Sequence, residues 1–557
     1  MKLKKRFTRK TSIALIAVLA LLTAAGCSSN APDSNSKANQ NGQGNNGNAV
    51  SEEATITLGR VVGSDNQFKN KESIEDNVHT RWAKERFGIN FKVDWTVGTG
   101  EAYTTRLRLL LNSNDKLPDV FTLSDPTLEN QVVDSGKVMS IDEAFNKYAS
   151  PRIKELYAKY PEIWNTVTYE GKHYGLPTFN ANSSFSVLWI RQDWLDKLGL
   201  KAPKTMSEME NVMDAFVNKD PDGNGVKDTF GLSVSLKKGV SAVKDTYMVS
   251  SDFIFGKKAV PTYWTEAENG TLQYGSIQPI VKEGLAKLSE WMSKGYLDKD
   301  AGVQDEAKAA ESFVQGKSGM VFGPTWMATY PFNADMKFNY VPVPIPAGVD
   351  GNRGFGSEPQ SSVRFYFNKD FKYMEAFFKY LDAIMGPGFY DPKSELANGW
   401  AEGYDYVMVN GEPVYEHDKI PGGWIDVKKY SIYGNDIQTP KKELEVMAKL
   451  GQGVKPETPY EKYFSARPKK WADAAAVLQT YIDDAAVYDQ FTGPPTKTMA
   501  QKGELLRKME NETFLKIIYG QESPDSFDSF VDKWKSSGGN EITKEVNDWY
   551  QAVKNNK

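Results

Sequence analysis

Oxygen-bearing residues at alternating positions of one short loop are the clearest chemical feature of this sequence. The side chains are those of Asp220, Asp222, Asn224 and Asp228, and the backbone carbonyl of Val226 lies between them. A hard cation such as Ca²⁺ prefers roughly six to eight oxygen ligands, and EF-hand loops supply them at this spacing. Gly231 stands at the twelfth position, where that pattern has a bidentate Glu. We therefore predict a structural calcium site that needs a further ligand or water; the alternative is a solvated Asp/Asn/Gly turn.

Aromatic side chains in polar surroundings indicate a second chemistry, the binding of sugars. The sequence has 13 Trp, 27 Tyr and 28 Phe, and sugars stack on such rings while their hydroxyl groups bond to polar side chains. Gly, Pro and charged residues surround Trp264, Trp326 and Trp400, which predicts loops. We expect these three to stack on a sugar, and Asp125 and Glu358, in loops that follow strands, to accept hydroxyl hydrogen bonds. The alternative for each tryptophan is packing in a core.

Motifs for catalysis are scarce. The histidines His79, His173 and His417 have no metal-ligand spacing, and there is a single cysteine. The sequence contains no phosphate-binding G-x-x-x-x-G-K-[ST] loop and no strand-coupled G-x-G-x-x-G. Nucleophilic triads and nucleotide chemistry are therefore not expected. Accidental pairs among the 72 acidic residues leave a glycoside hydrolase open as an alternative.

The single cysteine, Cys27, ends an N-terminal targeting segment. Residues 1–10 are basic, residues 13–22 are apolar, and small residues then run directly into Cys27. A membrane-spanning helix needs ~20 apolar residues, so this pattern predicts a secretion signal. It resembles a bacterial lipobox, with Ala24 where such motifs usually have Leu. We expect residues 1–26 to be removed and Cys27 to carry acyl chains such as palmitate; an ordinary cleaved signal with an incidental cysteine is the alternative.

Composition and charge indicate a linker and exclude one class of partner for the remaining chain. Residues 28–53 are rich in Asn, Ser, Gly and Gln, so we expect residues 27–53 to form a lipidated, flexible linker to the outer face of the cell membrane. The 557 residues carry a formal net charge of -4, and six positive charges lie within residues 1–10, so the rest of the chain is more acidic still. A nucleic-acid partner is therefore not expected.

Short β-branched runs alternate with helical periods from Ala54 onward, which predicts an α/β fold. The sequence predicts strands at 55–58, 91–95 and 119–123 and helices at 77–87 and 103–111. Ligands of open α/β sheets bind beyond the carboxyl ends of strands, so the loops after Leu58 and Leu123 are candidate walls of a site. Further helices are predicted after Thr205, with a Thr205–Glu208 capping box, and from apolar stripes at 281–292 and 374–381.

A set of short motifs occurs in order along nearly the whole chain after the linker. They are LPDV at 117–120, GKHYGLP at 171–177, LWIRQDWLDKLGLKAPKT at 188–205, F-x-x-G-K-x-x-M at 313–320 followed by Trp326, FTGPPT at 491–496, FLKIIYG at 514–520 and residues 527–549. Together they resemble bacterial extracellular solute-binding proteins of the carbohydrate-uptake type. The last group is similar to the Gram-positive lipoproteins related to alginate-oligosaccharide-binding proteins, which carry an Asp/Asn calcium loop at this place.

The resemblance implies a two-lobed α/β fold of the type II periplasmic-binding-protein kind, with a multi-strand hinge and the ligand in a cleft between the lobes. It implies an N-terminal lobe of residues 54–180 plus 361–440 and a C-terminal lobe of residues 181–360 plus 441–557. It also implies a monomer that captures an oligosaccharide, delivers it to the permease subunits of an ABC transporter and performs no catalysis. Trp326 would inherit the sugar-stacking role of the tryptophan that follows F-x-x-G-K-x-x-M.

Two other functions remain open from the sequence. One is a secreted carbohydrate-active enzyme, and the other is a binding lipoprotein for a non-sugar ligand such as a peptide. Anionic sugars would favour an arginine in the cleft, and an internal salt bridge is the alternative for each candidate. The candidates are Arg60, Arg191, Arg353 and Arg364.

Overall fold

The structure is a computed structural model. It describes residues 53–555 except 64–65, 114, 181–185, 242–247, 333–335, 358–360, 362, 387–390 and 435–438. Cys27, residues 28–52 of the linker and Glu358 therefore lie outside the described residues. Within those ranges, no helix is both long and apolar enough to cross a membrane.

Strands β1 to β17 are short, and most belong to one of two sheets. Their bounds are β1 (Ala54–Val61), β2 (Ile89–Val97), β3 (Val120–Leu123), β4 (Thr168–Tyr169), β5 (Lys172–His173), β6 (Gly175–Pro177), β7 (Ser186–Arg191), β8 (Phe230–Ser233), β9 (Trp264–Glu266), β10 (Leu272–Tyr274), β11 (Ser318–Pro324), β12 (Tyr340–Val343), β13 (Phe355–Gly356), β14 (Arg364–Phe367), β15 (Val407–Val409), β16 (Glu412–Val414) and β17 (Ala486–Val487).

Helices α1 to α17 surround these strands. Their bounds are α1 (Val78–Phe87), α2 (Gly100–Asn112), α3 (Pro126–Asp134), α4 (Asp142–Tyr148), α5 (Pro151–Lys159), α6 (Gln192–Leu198), α7 (Met206–Asn218), α8 (Pro279–Ser293), α9 (Glu306–Val314), α10 (Met374–Ile384), α11 (Lys442–Gly451), α12 (Pro459–Ser465), α13 (Lys469–Gln479), α14 (Ile482–Ala485), α15 (Lys497–Ile518), α16 (Ser526–Trp534) and α17 (Asn540–Asn555).

Local sequence signals explain where several helices begin and end. The Asn77 side chain accepts hydrogen bonds from the first backbone N–H groups of α1, and the helix ends at Gly88 in the left-handed conformation, with φ of 66°. Thr205 and Glu208 form the predicted capping box of α7. The elements predicted between residues 55 and 123 are all present, with bounds that differ by a few residues. These local predictions are confirmed because capping and apolar periodicity act within one element.

The first sheet has the strand order β2-β1-β3-β14-β6. Strand β1 is parallel to β2 and β3, whereas β14 is antiparallel to β3 and β6. Its apolar side chains are buried with those of α10, for example Ile56, Phe365 and Phe377. Strand β14 lies late in the chain, so this N-terminal lobe is built from two segments that are far apart in the sequence.

The second sheet has the strand order β12-β7-β11-β8. Strand β7 is antiparallel to β11 and β12, and β8 is parallel to β11. Every residue of β7 and β11 is buried, because helices cover this sheet on both faces. Trp189, Phe216 and Trp291 are the centre of this C-terminal lobe's core. The two lobes together form a two-lobed α/β fold.

A buried histidine joins three distant segments of the N-terminal lobe. His79 is 3% exposed, and its Nε2 lies 2.7 Å from the Tyr380 hydroxyl oxygen. The Tyr380 oxygen also accepts the backbone N–H of Ile432 at 3.2 Å. Burial, and then the nearby Arg60 cation, lower the pKa of His79 to about 3. The imidazole is therefore neutral in the folded protein at ordinary pH.

We predict that His79 makes the fold acid-sensitive. The unfolded chain binds a proton on His79 near pH 6.5 and the folded chain does so only near pH 3, so stability is lost as pH falls between these values. The difference in unfolding free energy between the wild type and His79→Gln should shift against the wild type by about 1.4 kcal/mol for each pH unit. Urea unfolding at pH 4 to 7 measures this shift.

Tyr380→Phe is the matched control, because it removes the hydroxyl and keeps the buried imidazole. Its unfolding free energy should follow the pH dependence of the wild type. If the unfolding free energies of the wild type and His79→Gln changed equally with pH, the lowered pKa of His79 would be contradicted.

Candidate ligand-binding cleft

A cleft of about 560 Å³ lies at the carboxyl ends of β1 and β3 in the N-terminal lobe. The sequence predicted candidate walls in the loops after Leu58 and Leu123. Strand β1 instead continues to Val61, so the wall consists of the end of β1 and the loop that follows it, the loop after β3, the start of α2 and a segment near residue 430. The lining residues are 58–61, 63, 66, 98–100, 103–104, 120–124, 363, 365, 429 and 432–434. The described lining combines aliphatic side chains and aromatic rings with backbone amides, hydroxyl groups, the Asn66 amide and two cationic side chains.

Arg60 fixes the late segment of this wall to the end of β1. Its Nη1 donates to the carbonyl of Ile432 at 2.8 Å, and its Nη2 donates to the carbonyl of Lys429 at 2.7 Å. Only 6% of Arg60 is exposed, and burial lowers the pKa of its guanidinium from the ordinary value. From the sequence, Arg60 is expected to bind an anionic sugar or to form an internal salt bridge, and this positioning role is not predicted.

Close packing at Gly59 positions the aromatic part of the wall. The register between β1 and β2 shifts at Leu58 and Gly59, and the Trp95 indole fills the space that a Cβ at residue 59 would need. The Trp95 ring lies 5.1 Å from the Tyr103 ring. The Tyr103 hydroxyl accepts the backbone N–H of Thr122 at 3.3 Å, and burial raises its pKa. Tyr103 therefore offers an O–H donor beside the cleft.

Asp125 lies in the loop after β3, as predicted. Its Oδ1 accepts the backbone N–H groups of Thr127 at 3.0 Å and Leu128 at 3.2 Å, which caps α3. Its Oδ2 forms an ion pair with Arg108. Asp125 is not itself among the residues that line the cleft, but its neighbour Ser124 is.

A second cavity of about 400 Å³ begins at Pro126, two residues from Ser124. Its other described walls come from the C-terminal lobe and include Trp264, Tyr274, Phe491 and Arg507. The Trp264 and Tyr274 rings lie 5.1 Å apart. This cavity therefore draws on both lobes.

The prediction that Trp264 lies in a loop is wrong. Trp264 begins β9, which pairs with β10 in a hairpin, and only 4% of the residue is exposed. Tyr274 of β10 stacks on Trp534 of α16, so C-terminal helices cover the hairpin. The polar sequence around Trp264 reflects the exposed side and turn of this hairpin. Trp264 and Tyr274 both line the second cavity.

Trp326 and Trp400 are not among the described residues that line either cavity. Trp326 is in the short 3-10 helix Thr325–Ala328 and packs half-buried against the core of the C-terminal lobe. Trp400 packs against the core of the N-terminal lobe, with its ring 5.4 Å from the His79 ring. The remaining predicted residue, Glu358, is outside the described residues.

The predicted calcium loop is an exposed turn in which the candidate oxygens converge. Asp220 accepts backbone N–H groups from Gly223 and Gly225 at 3.0 Å and 3.1 Å. The Asn224 amide donates to Asp222 at 2.8 Å and to Asp228 at 3.2 Å. Asp222 and Asp228 are therefore held beside each other, and burial and the neighbouring carboxylates raise the pKa of Asp222.

Packing explains the glycine at the twelfth position of this loop. Gly231 lies in β8, and a Cβ there would meet the Met213 side chain of α7. A glutamate cannot be accommodated without displacing this core residue. Across the described ranges, no group of three or more His, Cys, Asp or Glu side chains is arranged to hold a metal ion. A cation in this loop would therefore depend on the Asn224 oxygen, the Val226 carbonyl and water as well.

Three of the four candidate arginines are engaged elsewhere. Arg191 pairs with Asp193 at 2.6 Å, and Arg364 pairs with Glu129 at 3.2 Å. Arg353 donates to the Ile345 carbonyl at 2.6 Å. Only Arg60 of this set is among the described residues that line the cleft.

Two curated relatives from Bacillus subtilis strain 168 are similar to this chain over most of their length. Lipoprotein LipO is 23% identical over 512 residues, which cover 87% of this chain and 91% of LipO. The polygalacturonan/rhamnogalacturonan-binding protein YtcQ is 25% identical over 453 residues, which cover 79% of this chain and 81% of YtcQ.

Solved structures share the fold. The Streptococcus pneumoniae ABC-transporter substrate-binding protein FusA in complex with kestose matches with a TM-score of 0.64 and 17% identity, over 90% of this chain and all of that one. A FusA EF-hand mutant in complex with fructo-nystose matches with a TM-score of 0.61 and 18% identity, over the same shares of the two chains.

A sequence profile gives the family directly. The profile of bacterial extracellular solute-binding proteins matches residues 67–402, which is more than half of the chain. These are substrate-binding proteins rather than enzymes. The chain therefore belongs to the bacterial extracellular solute-binding protein family.

Proposed function

We propose that this protein captures an oligosaccharide and delivers it to the permease subunits of an ABC importer. The observation that carries the proposal is the cleft at the carboxyl ends of β1 and β3 in a member of this family. YtcQ and FusA, whose names specify polygalacturonan/rhamnogalacturonan and fructooligosaccharide, support a carbohydrate ligand. A peptide or other non-sugar ligand becomes an outcome of the binding test.

The cleft lining has the chemistry that sugar recognition requires. Tyr103 and Tyr433 provide rings, and Thr99, Thr104 and Ser124 provide hydroxyl groups that both donate and accept. The backbone amides beside them add donors of fixed direction. A pyranose or furanose ring can place a C–H face on an aromatic side chain while its hydroxyl groups bond to this polar set.

The two cavities suit a ligand of several sugar units. Ser124 lines the first cavity and Pro126 lines the second, so only Asp125 separates them along the chain. Units in the second cavity would meet Trp264 and Tyr274 from the C-terminal lobe. We propose that ligand contacts with both lobes stabilise a closed arrangement, with the lobes divided as residues 54–180 plus 361–440 and 181–360 plus 441–557.

The proposed cellular context is the outer face of the membrane. The lipobox-like segment that ends at Cys27 and the likeness to lipoprotein LipO support an acylated N-terminus and a linker of residues 27–53. We propose that the protein acts there as a monomer. This proposal requires cleavage after residue 26 and a lipid adduct on Cys27.

We also propose that the loop of Asp220, Asp222, Asn224, Val226 and Asp228 binds calcium weakly. The convergence of Asp222 and Asp228 on the Asn224 amide supports it, since a cation would relieve the repulsion between these carboxylates. The EF-hand of FusA, a protein of the same fold, supports it further. The glycine at residue 231 implies a structural ion of low affinity, because the bidentate twelfth ligand is missing.

We predict that Tyr433→Ala weakens binding of the cognate oligosaccharide by about 10-fold, because one aromatic stacking contact contributes on the order of 1 to 3 kcal/mol. An oligosaccharide array identifies the ligand, and calorimetry on the folded variant measures its affinity. Trp400→Ala is the control, since this side chain packs against the core of the N-terminal lobe and is not among the described lining residues of the cleft. It should lower the unfolding temperature and leave the affinity unchanged. If Tyr433→Ala left the affinity unchanged and Trp400→Ala weakened binding, the ligand would bind outside this cleft.

We predict that millimolar calcium raises the melting temperature of the wild type. At ten times the dissociation constant, the added stability is about 1.4 kcal/mol. Asp222→Ala should abolish the effect, whereas Asp418→Ala, which removes an exposed acid outside the loop, should retain it. Differential scanning calorimetry with calcium and with a chelator measures both. Identical melting curves for the wild type in the two conditions would show that the loop is only a turn.

A further inference from the structure

A third cavity, of about 270 Å³, shares no described lining residue with the two cavities proposed for the oligosaccharide. It lies between the loops on either side of the β15–β16 hairpin and the end of α12. Its described lining residues are Asp405, Tyr415, Glu416, His417, Trp424, Tyr463, Ala466 and Arg467. Aromatic rings, two carboxyl groups and one guanidinium group therefore meet in a space slightly smaller than the roughly 300 to 1,000 Å³ of pockets for drug-sized ligands.

Lys69 holds together the two loops that carry Asp405 and Trp424. Its Nζ donates to the carbonyl of Gly403 at 2.5 Å in one loop and to the carbonyl of Gly423 at 2.9 Å in the other. Gly423 has a φ of 90°, a left-handed conformation that favours glycine, and it turns the chain directly before Trp424. The protein's own hydrogen bonds therefore fix this wall of the cavity.

The aromatic rings of the lining form two pairs. The His417 and Trp424 rings stack at 4.3 Å with an angle of 9° between their planes. The Tyr415 and Tyr463 rings lie 5.3 Å apart and nearly perpendicular to each other, at 89°. Such ordered rings provide an apolar surface on which the C–H face of a sugar can stack.

One polar atom of the lining residues has no partner. The Nε of Arg467 is buried and makes no hydrogen bond with any described residue, although Nη2 of the same side chain donates to the Tyr463 hydroxyl oxygen. A buried donor that is left unsatisfied costs about 1 to 3 kcal/mol. An acceptor on a ligand that reaches this atom would remove that penalty.

Charges of both signs line the cavity, and they restrict the class of ligand. The Arg467 guanidinium disfavours a cationic ligand, and the carboxylates of Asp405 and Glu416 disfavour an anionic one. Asp405 accepts two backbone N–H groups at 2.8 Å each, and a carboxylate has about four acceptor positions. Burial raises the pKa of Asp405 to about 7, so near neutral pH this group can also donate. A neutral ligand whose hydroxyl groups both donate and accept suits this set.

We infer that the third cavity is a separate binding site for one neutral sugar unit, which stacks on Trp424 and forms hydrogen bonds with Asp405 and Arg467. The volume fits a single unit rather than an oligomer. The inference does not depend on the proposed function of the cleft, because the described lining residues are different. A protein with this site binds a sugar unit whether or not the cleft is occupied.

The test follows the indole N–H signals of the 13 tryptophans in NMR spectra of the intact protein during titration with single sugars. The probes are glucose, galactose, mannose, xylose, arabinose and rhamnose, with glycine betaine as a zwitterionic alternative. At least one sugar should shift the Trp424 signal, which is identified by its absence in Trp424→Phe, with a dissociation constant of about 10 mM or lower. If no sugar shifts this signal, or if only betaine does, the inference is wrong.

Two variants connect the binding to the polar groups of the cavity. Arg467→Gln should raise the dissociation constant read from the Trp424 signal by about 5-fold or more, because it removes the buried donor. Glu416→Ala should raise it by about 3-fold or more. Glu416 is exposed at the rim, so this variant keeps the test decisive if Arg467→Gln does not fold. Unchanged binding in the folded variants would contradict the inference.

Two controls separate the third cavity from the rest of the protein. Arg86→Gln removes an exposed cation of α1 that pairs with Glu395 at 3.1 Å, and it should leave the dissociation constant unchanged. Tyr433→Ala removes a ring of the cleft and should leave it unchanged as well. If Tyr433→Ala abolishes the sugar-induced shift, the sugar binds in the cleft, which would overturn the separate site and leave the proposed function intact. Failure of every oligosaccharide to bind would remove the proposed function without bearing on the third cavity.

Discussion

The bond between Arg60 and the backbone of residues 429 and 432 is the constraint on which the cleft depends. It joins the end of the first strand to a segment roughly 370 residues later, and it places that segment opposite the loops after β1 and β3. Tyr380 and His79 hold the same segment from behind, through the N–H of Ile432. The wall of the cleft is thus held through the backbone carbonyls of residues 429 and 432 and the N–H of Ile432, and the buried Ile432 side chain adds packing against the core of the lobe.

Local signals in the sequence predicted much of the fold, and long-range contacts account for the rest. The capping box at Thr205 and Glu208 and the stripes of α8 and α10 could be read directly, because helix signals repeat within a few residues. The insertion of β14 between β3 and β6 could not, since pairing between distant strands leaves no local pattern. The burial of Trp264 could not be predicted either, because it depends on helices more than 200 residues away in the sequence.

The candidate site also contains parts that the sequence predicted and parts that it did not. The loops after Leu58 and Leu123 were found from the general rule that ligands bind beyond strand ends. Lys429 and Tyr433 carry no motif, and long-range contacts, among them the hydrogen bonds from Arg60 and to Tyr380, bring their segment to the cleft. The calcium-loop residues are adjacent in sequence, so their grouping was evident, and Gly231 gains a physical reason in the packing of Met213.

The late position of β14 has a consequence for the order in which the chain can fold as it is synthesised. The first sheet lacks one of its inner strands until residue 367 has been made, and the wall held by Arg60 needs residue 432. Until then, β3 has an unpaired edge and the apolar core of the first lobe is incomplete. The first lobe can therefore complete its fold only after most of the chain has been made.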